Sequence, residues 1–249
     1  MMLSGPWRVE TVEEIDSTNA WLANRAREGA SEGLVLRANF QRQGRGRMAR
    51  TWTAPPNSSL LCSILLRPAV ADEQLQMVVW AVALAARAAV ERCSGVAPAL
   101  KWPNDLLIDG RKVAGILTEL VATPAGPAIV AGIGVNCTAV DPAVTAATSI
   151  AQSSGRDVAP AMLLDALLEE LASRRPLLDS PEGLAELRAE YRAHLGTLGQ
   201  RVRVELADRV MHGVAVDVNE TGELVVASDG RDHIVNVGDV IHLRPEETQ

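Results

Sequence analysis

Lys101-Trp102-Pro103-Asn104-Asp105-Leu106-Leu107-Ile108-Asp109-Gly110-Arg111-Lys112 is the stretch from which the rest of the chain can be read. Asp109-Gly110 sits between two apolar runs. Asp-Gly is a strong hairpin signal, because both residues accept the positive φ angles of a tight turn. The segment also holds both lysines of the 249-residue chain, and the other 22 basic residues (24 − 2) are arginine. An Ala-, Val- and Arg-rich composition with one Phe and one Tyr is what a GC-rich coding bias produces. That bias explains the scarcity of lysine but not the clustering of the two that remain. Lysine is a compact, hydrated point charge that arginine does not replace in a tight polar pocket. The segment is therefore read as the chemical centre.

Outward from it lies a β-rich region. Ala99–Trp102, Asp105–Ile108, Lys112–Val121 and Ala128–Val135 read as strands, and Pro124-Ala125-Gly126-Pro127 joins the last two. Upstream, Val9–Ile15 and Leu34–Phe40 read as strands flanking a helix. Asp16 or Ser17 caps that helix and Gly29 closes it. Gln41–Asn57 is a long polar loop, Leu60–Leu66 a buried strand, and Asp72–Cys93 a long helix with Asp72 and Glu73 in its first turn. Downstream, Pro160–Arg174 and Pro181–Leu195 read as helices. After Gly196 and Gly199 come five short strands: Arg201–Leu206, Arg209–Val218, Glu223–Ala227, His233–Val237 and Val240–Leu243. The fold class predicted is α+β, a mixed or antiparallel sheet with helices followed by a small barrel, with residues 1–198 and 199–249 as the two domains.

Composition narrows the function. An apolar share of 47% supports a real core, and a net charge of −7 with a pI near 5.2 argues against a dedicated nucleic-acid binder. The odd, scattered cysteines Cys62, Cys93 and Cys137 fit free thiols in a reducing compartment. His194, His212, His233 and His242 lack metal-ligand spacing. No secretory signal pattern is visible, and the apolar run near Met77–Val90 is interrupted by Arg87 and too short for a membrane span. The expectation is a cytoplasmic protein that does not engage a membrane.

Four segments carry chemistry. In Gln41-Arg42-Gln43-Gly44-Arg45-Gly46-Arg47-Met48-Ala49-Arg50, four arginines alternate with glycines. Such a loop closes over an anion, with bidentate guanidinium donors and exposed backbone N–H groups; a basic solvated loop or an RNA-binding segment is the alternative. The hairpin brings Asp105 and Lys112 together across the predicted turn, where the carboxylate orients the lysine, or holds a metal near phosphates, or forms an ordinary ion pair. Gly132-Ile133-Gly134-Val135-Asn136 brings backbone close to a ligand or to a neighbouring strand, and it opens no helix as a Rossmann fingerprint does. Ser17-Thr18-Asn19 is a helix start whose hydroxyl and amide groups can also meet a polar ligand.

Taken in order, these segments resemble the biotin–protein ligase family. The carriers are Ser17-Thr18-Asn19, Gln41 with Gly44-Arg45-Gly46-Arg47 and Trp52, Lys101-Trp102-Pro103-Asn104-Asp105, Arg111-Lys112-Val113-Ala114-Gly115-Ile116-Leu117 with Glu119, Gly132–Asn136, and Ala147-Thr148-Ser149-Ile150. The resemblance implies a short form ending in an SH3-like barrel, with no helix-turn-helix ahead of Ser17 and no DNA binding. It implies biotin and ATP as substrates, Mg2+ on the phosphates, and a biotin carboxyl carrier protein as acceptor, with a monomer or homodimer left open. Lys112, Arg45, Arg47 and Asp105 are then the catalytic candidates. Ser17, Thr18, Asn19, Gln41, Gly44, Arg45, Arg47, Lys112, Gly115, Leu117 and Gly132 are the biotin contacts. Arg47, Arg50, Trp52, Lys101, Asn104, Asp105, Lys112 and Asn136 are the nucleotide contacts, with Asp105 also the metal candidate. The family loop carries glycine where this chain has Ala49. A lipoate–protein ligase, whose Arg-Arg…Gly-Gly-Gly type motif is missing here, and a non-enzymatic biotin- or RNA-binding module are the alternatives.

Overall fold

The computed structural model describes residues 6–69, 75–206, 210–236 and 239–242. The chain opens with β1 (Arg8–Ile15), α1 (Thr18–Arg27), β2 (Leu34–Gln41) and β3 (Ser59–Leu66). Next come α2 (Leu75–Ser94), β4 (Ala99–Lys101), β5 (Asp105–Ile108), β6 (Arg111–Val121) and β7 (Ala128–Asn136). These strands form one sheet in the order β1-β2-β3-β7-β6-β5-β4. The β1–β2 pair, joined through α1, is parallel, and every other pair is antiparallel. A parallel pair needs such a crossover, whereas hairpins serve the rest. The sheet is mixed, as the sequence predicts.

Strands β3 and β7 lie at its centre and are buried along their whole length. Their near-continuous apolar runs follow from cover on both faces. On one face α1 places Leu22, Ala23 and Ala26 against Leu34, Leu65 and Val130. On the other lies α2, apolar nearly all round and correspondingly buried. Around it pack α3 (Ile150–Ser154), α4 (Pro160–Arg174) and α5 (Pro181–His194), with Trp80 of α2 stacked on Tyr191 of α5 at 4.5 Å. Asp72 and Glu73, predicted in the first turn of α2, lie outside the described residues. The short α3 escaped the sequence reading although its signals are present: a capping box between Ser149 and Gln152, and Gly155 in the left-handed conformation after it.

The chain ends in a second, antiparallel sheet. Its strands are β8 (Arg201–Glu205), β9 (Val210–Val218), β10 (Leu224–Ser228), β11 (Arg231–Val235) and β12 (Asp239–His242), in the order β11-β10-β9-β8-β12. The predicted ends at Val237 and Leu243 and the start at Arg209 lie outside the described residues. Asp229-Gly230 makes its β10–β11 turn with the same positive-φ pair as Asp109-Gly110. The inward residues Val202, Val204, Val218, Leu224 and Val226 belong to the same apolar cluster as α2 and the main sheet. The two sheets therefore share one core. Among the described residues, no helix is long and apolar enough to cross a membrane.

Candidate active site

A cavity of about 150 Å3 lies over the middle of the main sheet, walled by the start of α1, the 41–52 loop, the β4–β5 turn and strands β6 and β7. Its floor is made by missing side chains. Gly115 and Gly134 are direct partners in the β6–β7 register, and the Trp52 ring lies on them. A Cβ on Gly134 would stand 2.5 Å from Trp52 Cε2, and one on Gly115 would stand 3.0 Å from Lys112 Nζ. A Cβ on Gly132 would stand 2.1 Å from Asn19 Oδ1. These glycines are required by close approach, not by backbone angles. Gly44 is outside the cavity lining; its carbonyl accepts the Trp52 N–H at 3.0 Å and so pins the loop's return.

Lys112 follows the Asp109-Gly110 turn, whose φ angles are 50° and 72°. Its Nζ pairs with Asp105 Oδ1 at 2.6 Å and stands 5.7 Å from the Trp52 ring centroid. A bulge between Leu106 and Leu107 shifts the β5–β6 register between the two residues. The lysine's backbone is fixed on its other side, donating to Ala146 O at 3.0 Å and accepting from Thr148 N at 2.8 Å. Asn104 braces β6: its Nδ2 donates to Ile116 O at 2.6 Å, and its Oδ1 accepts from Arg47 Nη1 at 3.4 Å.

Lys101 stands opposite Asp105 in the β4–β5 register. The predicted strand to Trp102 stops one residue short, because Trp102 and Pro103, joined by a cis peptide bond, make the turn. That turn is anchored into the second sheet. Trp102 Nε1 donates to Gly222 O at 2.9 Å, and Trp102 N donates to Thr197 Oγ1 at 3.1 Å. Thr197 Oγ1 lies 3.1 Å from His242 Nε2, and Gln76 Nε2 donates to Pro103 O at 2.7 Å. Burial, and secondarily the Lys101 charge, push the His242 imidazole down to about 4.

At the other end, Ser17 caps α1 and accepts from Ala20 N. Gln41 Oε1 accepts from Thr18 N at 2.8 Å and Thr18 Oγ1 at 3.0 Å. Asn19 lines the cavity, yet its polar atoms are engaged by protein. Its Nδ2 donates to Leu117 O at 3.2 Å and Glu119 Oε2 at 2.6 Å, and its Oδ1 accepts from Ser63 Oγ at 2.5 Å. Ser63 was not singled out from the sequence; the available signal was a hydroxyl inside an otherwise apolar buried strand.

The arginine loop is a pinched hairpin. Arg45 and Thr51 form a β-bridge, and Gly46 N donates to Arg50 O at 2.7 Å. Arg45 Nη2 reaches Glu119 Oε2 at 3.1 Å. At its tip, Met48 and Ala49 both adopt left-handed angles, φ 54° and 57°. Arg45, Arg47 and Arg50 all face the cavity.

The structure thus brings together every predicted site residue except Gly44 and Asn136. Asn136 donates to Thr148 O at 3.1 Å and lines an adjoining cavity of about 120 Å3, whose wall includes Trp52 and Lys112. Buried Cys62 also reaches the main cavity, and desolvation holds its thiol up at about 12. Among the described residues no group of three His, Cys, Asp or Glu could hold a metal, and Asp105 is the single acidic side chain on the main cavity wall.

This architecture, a glycine-floored mixed sheet under a Gly/Arg loop with a small second sheet behind it, has a family. Residues 11–136 match the biotin/lipoate A/B protein ligase family, and residues 197–243 match the biotin protein ligase C-terminal domain. The chain belongs to the biotin protein ligases of that family. It is 38% identical over 252 residues to the biotin–[acetyl-CoA-carboxylase] ligase of Mycobacterium tuberculosis, covering 96% of this chain and 90% of that protein. It is 33% identical over 237 residues to the enzyme of the same name from Paracoccus denitrificans, covering 90% and 96%. Among solved structures, the biotin protein ligase of Aquifex aeolicus in complex with biotin and ATP superposes with a TM-score of 0.82 at 24% identity, covering 95% of this chain and 99% of that one. At that identity the superposition speaks for the shared fold.

Proposed function

We propose that this enzyme is a biotin–[acetyl-CoA-carboxylase] ligase. It joins biotin to ATP, giving biotinyl-5′-adenylate and pyrophosphate, and then passes the biotinyl group to a lysine of a biotin carboxyl carrier protein. The observation that carries this reading is the Lys112–Asp105 pair, set at 2.6 Å against Trp52 and facing the arginine loop across one cavity.

The chemistry asks for what this cavity holds. A carboxylate attacks an α-phosphate that is already anionic, so cations must meet the charge that develops there. Lys112, Arg45 and Arg47 are assigned that role, with Asp105 orienting the lysine. Lys101 and Arg50 hold phosphates, while Trp52 and Asn104 bind the nucleotide together with Asn136 in the adjoining cavity. Biotin is assigned to the wall made by Ser17, Thr18, Gln41 and Leu117 over the Gly115 and Gly132 backbone; Asn19 and Gly44 serve it through protein contacts. A single carboxylate, Asp105, fits Mg2+ carried mainly by phosphate oxygens, and the ion would supply charge neutralisation. In the second step the acceptor amine attacks the acyl carbon and AMP leaves. No enzyme nucleophile is needed. The arginine loop excludes water from the acyl-adenylate.

The same reading takes 1–198 as the catalytic domain and 199–249 as an SH3-like barrel domain. It takes the protein as cytoplasmic, on its free thiols, and as a monofunctional enzyme that binds no DNA operator, on its net charge of −7. The test is pyrophosphate exchange into ATP. Exchange that depends on biotin, followed by labelling of a carrier domain, is expected. Exchange driven by lipoate with biotin ignored defeats the reading, and biotin binding without exchange defeats it in favour of a binding module.

A further inference from the structure

We infer that Glu119 is a positioning residue that couples the arginine loop to the polar wall of the cavity. One carboxylate oxygen, Oε2, accepts from Asn19 Nδ2 at 2.6 Å and from Arg45 Nη2 at 3.1 Å. Glu119 itself does not line the cavity. It acts through its two partners.

The contacts run as a chain of neighbouring polar groups. From Arg45 it passes through Glu119 to Asn19 and then to Ser63 at 2.5 Å; the single Ser63 hydroxyl proton is shared between Asn19 Oδ1 and Thr18 Oγ1, at 2.7 Å, and Thr18 gives its own proton to Gln41 Oε1 at 3.0 Å. Asn19 is the keystone, because both donors and the acceptor of its amide are engaged by protein. It can occupy that place because Gly132 has no Cβ. Rotation of the Asn19 amide would break contacts toward the loop and toward the wall together.

Arg45 shows why a carboxylate belongs there. A guanidinium has five N–H donors in a rigid fork. Glu119 engages one nitrogen, Nη2, which restrains the fork beside the cavity and leaves further donors for an incoming anion. An arginine held in this way binds a ligand carboxylate with less ordering cost than a free one.

The inference rests on the biotin-activating reading. Its test separates the two through a ligand-free measurement on the full chain. Glu119→Gln keeps the side-chain volume and one acceptor but removes the charge; Arg45→Gln removes the partner; the double variant closes the cycle. In the ligand-free proteins, tryptic cleavage after Arg47 and Arg50 is timed. In biotin-dependent pyrophosphate exchange, KM for biotin and kcat are measured. Glu119→Gln is expected to speed cleavage about threefold and to raise KM for biotin about fivefold, the range of an ion pair of this exposure, with kcat within about twofold. In the Arg45→Gln background those changes should shrink to less than half. Unchanged cleavage and KM in Glu119→Gln, or effects that add in full to those of Arg45→Gln, would overturn the coupling. If the wild-type chain gave no biotin-dependent exchange, the functional reading would fall while the cleavage cycle still decided the role of Glu119.

Discussion

Replacing Lys112 with arginine keeps the charge and changes only its shape. Lys112 Nζ lies 2.6 Å from Asp105, and although 35% of the side chain is exposed its inner side is closely bounded. Its Cε and Nζ pass 3.0 Å from where a Cβ on Gly115 would be, and the Trp52 ring centroid stands 5.7 Å away. An ammonium fits that box. A guanidinium is broader and planar, so it is expected to push Trp52 off its glycine floor or to swing outward, away from Asp105. Either way the donor no longer meets the charge developing at the α-phosphate. Losing one such donor costs about 2.7–4 kcal/mol, roughly 10²–10³ in rate. Lys112→Arg is therefore expected to lower biotin-dependent pyrophosphate exchange at least about a hundredfold, close to the effect of alanine. Lys101→Arg should be milder, because Lys101 is assigned to holding phosphate and not to the reacting centre. Melting temperature serves as the folding control. A folded Lys112→Arg protein with near-wild-type exchange would remove Lys112 from the proposed mechanism.

Three further outcomes are expected. Gly134→Ala drives a Cβ to within 2.5 Å of Trp52, so KM for ATP should rise about tenfold or more while KM for biotin moves less; equal shifts in both would contradict the assignment of Trp52 to the nucleotide. Ala49→Gly relieves an alanine held at φ 57° and should steady the loop by about 1 kcal/mol, read as slower tryptic cleavage; faster cleavage would show that the left-handed angle is not maintained in solution. His242, at about 4 in the fold against an ordinary 6.5, binds its proton more readily in the unfolded chain; its contribution to stability is full above about pH 6.5 and is lost as pH falls toward 4. Melting temperatures at pH 7 and pH 5 should differ less in His242→Gln than in the wild type, and an equal drop in both would show that another group titrates.

Much of this molecule was legible locally. The Asp109-Gly110 turn, the run of apolar residues in β7 and the helix start at Ser17 are each dictated by neighbours in sequence, and each forms where the residues predict. The candidate site was legible as a set of segments, because each carries a chemical signature that spacing preserves. What stayed hidden depends on residues far apart in the chain. Ser63 looks like a stray hydroxyl until α1 brings Thr18 and Asn19 over it, and Glu119, though one of the motif residues, shows no partner until the loop delivers Arg45. Trp102 read as the end of a strand, since nothing near residue 102 announces a carbonyl at Gly222. Asn136 ends a strand correctly predicted, yet which side of Trp52 it serves is decided by the 140–147 segment that walls the adjoining cavity.

The anchoring of Trp102 also bears on biosynthesis. The turn carrying Lys101, Asn104 and Asp105 is made before the groups that hold it, Thr197, Gly222 and His242. A ribosome-bound chain that has completed the main sheet still lacks these anchors. One wall of the candidate site is thus held by residues 95 and 120 positions further along the chain, so its order depends on the folding of the second sheet.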